Sequence, residues 1–494
     1  MAAARVKSDI LSRPIRLAAE IRGEDEERLE HLFTDACVLV RLEEALARVQ
    51  DARETFLSAV NQILRFCPNV AVCVPDAARD LLEAANELAV RVHGRGHRIQ
   101  VVGLDETRAF AAVVNVGAEV SRDRSWVTVN STGWVARVAF GACEIVQLPT
   151  AFSACNPIGA SAAACLGAGG AFLALAGCPP EARSFEISLF SYEEGAVGTL
   201  PVGPDLPVEP LALDGFLVGC GAVTNGWADV VKCLPIVGTI EAIDRQSLRI
   251  ENLGPYVAAS REWRGKPKAE MIASLLSPKI VVSAKNEEWE FFKIRLGYDV
   301  SISPVIVNGL DNVETRHSVQ RLWPEVLIDM AAGGLTSQVI VKPRSGDGIC
   351  LLKALVRPDD EISWATRAES ETGLDANRIL EGPTTAITEE DVARAPEAKR
   401  KSLRRAQREG RLVCGHVTER NLHFEGHDAD FAPAVPFVTG FSGVVGAAAL
   451  MKWLMGYRGN GLHFQYSFRS GHVQNLAMSC EAECECQVAR RTDA

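Results

Sequence analysis

The fold of this 494-residue chain is decided by the stretch Gly215-Phe216-Leu217-Val218-Gly219-Cys220-Gly221, an apolar strand that breaks into glycines. Glycines after a strand let the backbone approach a phosphate or a ribose, because no Cβ stands in the way. The helix expected next, from Trp227 to Leu234, would point its free N–H groups at the anion. The stretch therefore predicts a nucleotide site at the end of a strand in an α/β sheet.

Charged residues at fixed distances downstream support this prediction. Asp244 ends the next strand, 23 residues after Gly221, where a carboxylate can accept hydrogen bonds from both ribose hydroxyls. Lys268 opens a further helix and would bring a positive charge to a triphosphate. Asp311 follows another strand and is a typical hard-oxygen ligand for Mg²⁺. A nicotinamide cofactor would explain the glycines and Asp244, but not the lysine or the second acid.

These motifs resemble the adenylating core shared by ubiquitin-activating enzymes and the bacterial ThiF/MoeB proteins. The resemblance covers residues 211–340 well and 435–456 more loosely. It implies a Rossmann-like unit that binds ATP and Mg²⁺ and adenylates a C-terminal glycine. The residues that it assigns to nucleotide binding are Gly219, Gly221, Asp244, Asn252, Lys268, Asp311 and Asn312, with Asp311 also as the metal ligand.

The chain departs from the family pattern at the phosphates. Thr224 stands where a third glycine is usual, and Gln246 stands where the family has a second acid. The segment Asn252-Leu253-Gly254-Pro255-Tyr256 lacks an arginine that normally meets the phosphates. We expect Arg261, Arg264 or an arginine from elsewhere to replace it, and we assign Arg261 to the catalytic set.

The N-terminal half looks like a shrunken copy of the C-terminal half. Residues 156–177 parallel 435–456, residues 111–118 parallel 303–310, and the segment from Asn69 to Gly103 parallels 216–244. In that alignment Pro75-Asp76-Ala77-Ala78 replaces the glycine turn and would obstruct a phosphate. The repeat predicts a pseudo-dimer of an inactive and an active unit, each with a doubly wound, mostly parallel sheet. Chance similarity between two alanine-rich halves is the alternative.

The domain organisation follows from this repeat. We expect a helical region over 1–66, the inactive unit over 67–186, a proline-rich linker over 187–210 and the active unit over 211–494. The active unit would contain an insertion at 345–434 and a tail at 458–494. Residues 156–177 are long enough to span a membrane, but their Ala and Gly content favours a buried, closely packed helix.

The insertion holds only two cysteines, Cys350 and Cys414. Sulfur-carrier adenylyltransferases commonly carry two Cys-x-x-Cys pairs for zinc there, so we do not expect a tetrathiolate site. Cys414 follows the basic run 399–408 and precedes His416, surroundings that favour a thiolate. It also resembles the catalytic-cysteine loop of the smaller ubiquitin-like-protein activating enzymes. We therefore assign Cys414 as the nucleophile, with an idle loop thiol as the alternative.

The remaining cysteines have plainer interpretations. Cys350 lies among apolar residues and is expected to be a buried packing thiol. Cys480, Cys484 and Cys486 have a spacing that could take a metal or a persulfide, although their acidic neighbours favour a mobile, oxidisable tail. Fourteen cysteines in 494 residues are too dilute for a disulfide scaffold, and no signal peptide opens the sequence, so we expect a cytoplasmic protein.

The expected function is activation of a ubiquitin-like protein with a C-terminal glycine, through adenylation and then a thioester on Cys414 that passes to a conjugating enzyme. The composition is biased towards Ala, Arg, Gly and Val, as in many bacterial proteins. A compact two-unit activating enzyme of this kind resembles those of the ubiquitin-like conjugation systems in bacterial antiphage defence. A net charge of −11 argues against nucleic-acid and anionic-membrane partners. The alternatives are a sulfur-carrier adenylyltransferase, a tRNA-modifying dehydratase of the same fold and a nucleotide-binding scaffold without turnover. Whether the chain forms a homodimer stays open.

Overall fold

Two eight-stranded sheets of the same design organise the chain. The protein is described by a computed structural model. The described residues are 10–103, 109–121, 123–141, 156–296, 305–346, 348–355, 364–382, 384–414, 416–417, 434–476, 479–480 and 482–487.

The first sheet has the strand order β3-β2-β1-β4-β5-β6-β7-β8. Its strands are β1 Cys37–Leu42, β2 Asn69–Cys73, β3 Gln100–Val101, β4 Ala112–Val116, β5 Trp126–Thr132, β6 Val135–Phe140, β7 Arg183–Ser188 and β8 Glu193–Gly195. The strands from β3 to β5 pair in parallel, and β6, β7 and β8 continue the sheet antiparallel. The connections reverse direction between β1 and β4, the place where doubly wound sheets bind ligands.

The second sheet repeats this plan in the order β11-β10-β9-β12-β13-β14-β15-β16. Its strands are β9 Leu211–Val218, β10 Ile236–Ile243, β11 Ile280–Lys285, β12 Val305–Asn308, β13 Val326–Gly333, β14 Thr336–Pro343, β15 Leu462–Ser467 and β16 His472–Asn475. Parallel pairing again gives way to antiparallel pairing after the fifth strand in the order. The expected fold, two Rossmann-like units with mostly parallel sheets, is confirmed.

Helices cover and connect the sheets. In chain order they are α1 Ser12–Arg22, α2 Glu26–Thr34, α3 Gln50–Leu64, α4 Asp80–His93, α5 Pro157–Leu175, α6 Ala222–Val231, α7 Lys268–Leu276, α8 Trp289–Leu296, α9 Val313–Gln320, α10 Leu351–Ala354, α11 Trp364–Thr372, α12 Ala376–Glu381, α13 Glu389–Arg394, α14 Glu397–Arg408 and α15 Pro436–Leu454.

The structure corrects two points of the predicted organisation. Residues 1–66 were expected to be helical, but β1 lies among them and is a central strand of the first sheet. By position in the sheet, β9 therefore corresponds to β1 and not to β2, and the predicted alignment of the halves was shifted by one strand. Continuous apolar spacing from residue 24 to 64 hid this six-residue strand between two helices.

The two halves meet along α5 and α15. Both helices are long and apolar enough to cross a membrane by length and composition, yet 89% of each apolar window is buried inside the protein. Phe172 on α5 lies 5.2 Å from Phe437 on α15, measured between ring centres. A Cβ at Gly226 would lie 3.0 Å from the Cα of Gly440, so α6 and α15 cross with their backbones in contact. Burial of this kind is typical of a core helix, as predicted for 156–177.

The insertion forms a small helical subdomain. Helices α11 to α14 surround a separate apolar cluster that includes Leu374, Ile379, Leu403 and Val413. Phe291 of α8 belongs to the same cluster and attaches the subdomain to the second sheet. The described helices of the insertion therefore pack together and against α8.

Candidate active site

The glycine turn after β9 has a backbone that only glycine adopts easily. Gly219 has a φ of +78°, and its N–H donates to the carbonyl of Ile243 at 2.9 Å. A Cβ there would lie 2.9 Å from the side chain of Leu310. Gly221 is the N-cap of α6 and has no side chain, so the first N–H groups of α6 stay available to an anion.

Thr224 braces this turn from inside. Its hydroxyl donates to the carbonyls of Gly219 at 2.8 Å and Gly221 at 3.1 Å, and the residue is fully buried. The residue that replaces the usual third glycine therefore faces the protein core and does not obstruct the mouth of the turn.

Asp244 is fixed at the same edge of the sheet. One carboxylate oxygen accepts from the backbone N–H of Cys220 at 2.7 Å, and the other accepts from that of Gln246 at 2.7 Å. These bonds orient the carboxylate beside the glycine turn. Each oxygen keeps a further lone pair, which is what two ribose hydroxyls would require.

Lys268 is a buried cation at the start of α7. Its ammonium donates to the side-chain oxygen of Gln246 at 2.7 Å and lies 5.4 Å from the ring centre of Tyr256. Burial alone would lower the pKa of Lys268, but Tyr256, Asp244 and Asp311 together raise it above its ordinary value. The lysine thus keeps its charge, and Gln246, where the family has an acid, holds it in place.

Asp311 and Asn312 follow β12 and have different surroundings. Asn312 caps α9, because its side-chain oxygen accepts from the N–H of Thr315 at 2.9 Å. Asp311 is exposed, and its charge acts on both Lys268 and Arg316. Because the carboxylate of Asp311 is exposed, it is accessible as an oxygen ligand for Mg²⁺.

Arg316 forms a buried ion pair below this acid. It donates through Nε to Asp329 at 3.1 Å, and Asn308 donates to the same carboxylate at 2.6 Å. Asp329 is fully buried on β13. The pair joins α9 to two strands and so supports the segment that carries Asp311.

Asn252 organises the segment that follows Asp244. Its side-chain oxygen accepts from the N–H of Arg249 at 2.8 Å and closes the short 3₁₀ helix Ile250–Leu253. The side chain is buried. The structure therefore gives Asn252 a local role in shape, and contact with a nucleotide stays a prediction.

The predicted replacement arginines lie on the surface. Arg261 is exposed, and its Nε donates to the carbonyl of Val92 on α4 at 2.9 Å. Arg264 is exposed as well. The phosphate role assigned to Arg261 stays a prediction, and this bond attaches Arg261 to the first half of the chain.

Sequence reasoning missed a third arginine, Arg13 on α1. It is half-buried beside Tyr256, Glu251 and Arg249, and burial lowers its pKa while the first two groups oppose that shift. No motif links residue 13 to residue 256, so the sequence gives no signal of the contact. Arg13 is therefore a further candidate for the missing arginine, and its contact with a phosphate stays a prediction.

In the first sheet a carboxylate occupies the matching turn. Glu43 follows β1 as Gly219 follows β9, and its Oε1 accepts from the side-chain amide of Asn115 and the N–H groups of Ala118 and Glu119 at 2.6, 2.7 and 2.6 Å. The predicted obstruction at Pro75 to Ala78 belongs to a different turn, after β2. Glu43 thus gives a structural reason for the expected loss of the site, which stays a prediction.

Cys414 lies at the end of the helical subdomain. The thiol is half-buried and packs against the apolar cluster, and His416 is buried two residues later. Part of the neighbouring basic charge is neutralised, because Arg405 and Arg411 pair with Glu409 at 2.8 and 2.7 Å. Its assignment as the nucleophile stays a prediction.

Four other thiols form a cluster, in which Cys350 joins the three tail cysteines whose spacing could take a metal. The Sγ atoms of Cys350, Cys480, Cys484 and Cys486 all lie within 4.8 Å of one another. The Sγ of Cys484 is 3.6 Å from that of Cys350 and 3.5 Å from that of Cys486. A tetrahedral Zn²⁺ with Zn–S bonds of about 2.3 Å places its sulfurs about 3.8 Å apart.

Cys350 is buried, as expected, but it lies against three other thiols and supplies the fourth sulfur of a tetrathiolate set that was not expected. Cys350 and Cys480 are 130 residues apart, and none of the four cysteines belongs to a Cys-x-x-Cys pair, the spacing that usually indicates a zinc site in a sequence. Arg321 pairs with Glu485 at 3.0 Å and ties the tail to the end of α9. The four sulfurs fit a zinc ion in number, type and separation.

No protein-family model and no curated protein match the sequence. Two crystal structures of MccB from E. coli have a partly similar fold at 14% identity, one with MccA-N7isoASN and one with AMPCPP and MccA. The first has a TM-score of 0.36 and the second a TM-score of 0.33. Each similarity covers 56% of this chain, together with 67% of the MccB chain in the first structure and 66% in the second. A likeness of this extent concerns fold and not activity.

Proposed function

We propose that this protein is an adenylating enzyme that activates the C-terminal carboxylate of a protein with ATP. The observation that carries this proposal is the convergence of Asp244, Lys268 and Asp311 around the turn at Gly219. The ribose would lie at Asp244, the phosphates at the turn and Lys268, and the metal at Asp311. Mg²⁺ would supply charge neutralisation of the phosphates.

Adenylation needs positioning and charge stabilisation more than proton transfer. A carboxylate oxygen of the substrate attacks the α-phosphorus, the bond from that phosphorus to the bridging oxygen breaks, and pyrophosphate leaves with the electron pair. The buried ammonium of Lys268 would stabilise the negative charge that develops there. The products are an acyl-adenylate and pyrophosphate.

We further propose that the substrate is a ubiquitin-like protein ending in glycine and that Cys414 accepts the acyl group. The thiolate attacks the acyl carbon, the carbon–oxygen bond to the phosphate breaks, and AMP leaves. Support comes from the position of the subdomain, because Arg245 pairs with Glu288 at 2.9 Å and approaches Glu371 of α11 at 3.9 Å. Arg245 directly follows Asp244, so the subdomain adjoins the nucleotide site.

The later steps of the proposal rest on the sequence resemblance. The thioester would pass to the cysteine of a conjugating enzyme, in a cytoplasmic system similar to those of bacterial antiphage defence. A sulfur-carrier adenylyltransferase is the second candidate. The cluster of four thiols favours it, because sulfur-carrier adenylyltransferases commonly hold a structural zinc ion with four cysteines. Such an enzyme would adenylate its partner without a stable thioester at Cys414.

One experiment separates these candidates. ATP–pyrophosphate exchange is measured with the full chain alone and with candidate ubiquitin-like proteins, followed by electrophoresis with and without reductant. Exchange that needs the partner, together with a reductant-sensitive adduct, supports the activating enzyme. Exchange without an adduct supports the sulfur-carrier enzyme. ATP binding without exchange with any partner would overturn both and leave a scaffold.

A further inference from the structure

Arg65 is a buried charge that the proposed reaction does not use. It follows α3 in the first half of the chain and is 2% exposed. Its guanidinium donates to the side-chain oxygen of Asn61 at 3.1 Å and to three backbone carbonyls of the second half. These carbonyls belong to Leu253, Val257 and Ala259, at 2.6, 2.6 and 3.0 Å.

In the part of the chain that the structure describes, every hydrogen-bond acceptor of Arg65 is a neutral oxygen. Burial lowers the pKa of Arg65 to about 9 although the charge of Asp229 opposes that shift. Burying a charge without a counter-ion is costly, and an apolar side chain of equal length would avoid that cost. What Arg65 supplies is therefore a set of directed bonds to one segment.

That segment, residues 253–259, is called the clasped loop here. Polar side chains from other elements hold it as well. Asn61 donates to the carbonyl of Val257, Thr439 donates to that of Pro255, and Asn225 accepts from the N–H of Ala258, each at 2.7 Å. Backbone groups outside regular secondary structure need such partners, and Arg65 provides the largest share of those from the first half.

The clasped loop carries Tyr256 into the candidate active site. Tyr256 is 4% exposed, and its ring packs against the ammonium of Lys268. We infer that Arg65 is a positioning residue: from the inactive half it fixes the clasped loop, and through Tyr256 it sets Lys268 for nucleotide binding. This inference rests on the proposed function, which makes that nucleotide ATP.

The test compares Arg65→Met, Arg65→Lys and Gln62→Leu in the full chain. Met keeps the length of the side chain but donates no hydrogen bond, whereas Lys restores a donor. Gln62 is an equally buried neighbour whose bonds, to Ser58 and Cys165, stay within the first half. The measurements are the Kd of MgATP and hydrogen exchange of peptides over 250–268 and over the first sheet.

We expect Arg65→Met to raise the Kd of MgATP at least tenfold and to speed hydrogen exchange over 250–268 only. Arg65→Lys should partly restore the wild-type Kd and the wild-type exchange rate. Gln62→Leu should change neither the Kd nor the exchange rate. Unchanged exchange over 250–268 in Arg65→Met, or an equal increase across both sheets, would overturn the inference. If the wild type does not bind ATP, the proposed function fails, and the exchange data still decide the role of Arg65. Should Arg65→Met not fold, Asn61→Ala is expected to give the same pattern at a few-fold in Kd.

Discussion

The carboxylate of Asp244 accepts a hydrogen bond of 2.7 Å from the backbone N–H of Cys220, which lies between the two glycines of the turn after β9. This bond fixes the acid of one strand to the turn of its neighbour, so the two cannot shift independently. A nucleotide bound at the turn would therefore meet a preformed set of polar groups, as electrostatic catalysis requires.

Substitutions at the nucleotide site should abolish the first reaction. Lys268→Ala removes the phosphate charge and Asp311→Ala removes the metal ligand, so each should lower ATP–pyrophosphate exchange about 10²- to 10³-fold without unfolding the protein. Lys266→Ala is the matched control, because Lys266 is exposed two residues away and its ammonium lies over Trp263. Exchange near the wild-type rate in Asp311→Ala would contradict the site.

Thioester formation should depend on a single sulfur. Cys414→Ala should retain exchange, since adenylation needs no thiol, and lose the reductant-sensitive adduct with the ubiquitin-like protein. Cys233→Ala is the control, because Cys233 is an exposed free cysteine in the turn after α6. An adduct that survives in Cys414→Ala would show that a different residue is the nucleophile.

The four-thiol cluster should hold one zinc ion per chain. Metal analysis of protein purified without chelator should give one equivalent of zinc, and Cys484→Ser should lose it together with thermal stability, because binding energy at such a site contributes to folding. Cys178→Ser, at a half-buried thiol in the first half, should change neither. A zinc content near zero in a wild type that is fully reduced would count against the site.

The first half should be needed for folding but not for nucleotide contact. Substitutions at Pro75 to Ala78, and Glu43→Gln, should leave the Kd of MgATP unchanged, because Glu43 occupies the N–H groups of the turn after β1 and Pro75 has no N–H to donate after β2. Residues 211–494 expressed alone should be insoluble or inactive, since α15 would lose its packing against α5. A soluble and active fragment, or a nucleotide found in the first half, would refute this division of roles.

Acid should weaken the protein through His93. Burial, then the charge of His97, lower the pKa of His93 from 6.5 to about 4, with Arg261 and Arg65 also nearby. Between pH 6.5 and 4 the unfolded chain binds a proton at His93 that the folded chain does not, so the free energy of unfolding falls as the pH falls, by about 3 kcal/mol over that range.

Urea unfolding at pH 7 and pH 5 measures this effect. His93→Gln keeps a donor for the carbonyl of Leu64, which lies 2.6 Å from the imidazole, and should reduce the difference between the two pH values. His31→Gln, at an exposed position on α2, should not. An equal pH dependence in wild type and His93→Gln would exclude His93 as the source.

The sequence predicted the architecture of the second half because its signals are local. Gly219 and Asp244 directly follow a strand and Asp311 lies three residues after one, and parallel strands of one sheet bring such positions to one edge. Their roles in binding stay predictions. The positions that were missed depend on distant contacts: Arg13 approaches Tyr256 from another half, and Cys350 meets Cys480 across 130 residues.

Strand β1 was missed for a different reason. Its six residues lie between two amphipathic helices. A prediction from the 3.6-residue period of apolar positions extends the helical pattern across such a short apolar run. The error shifted the alignment of the halves by one strand and placed the obstruction at Pro75 to Ala78. Only the pairing of β1 with β2 and β4 reveals that Glu43 is the residue matched to Gly219.

Glu43 and Gly219 stand at matched positions of one continuous chain, and this has a consequence for stoichiometry. In an assembly of two identical subunits any substitution is copied into both, so a carboxylate in one turn would fill the other as well. Joining the halves removes that constraint and lets one turn be filled while the other stays open. Titration with MgATP should then saturate at one molecule per polypeptide, along a hyperbolic curve without cooperativity.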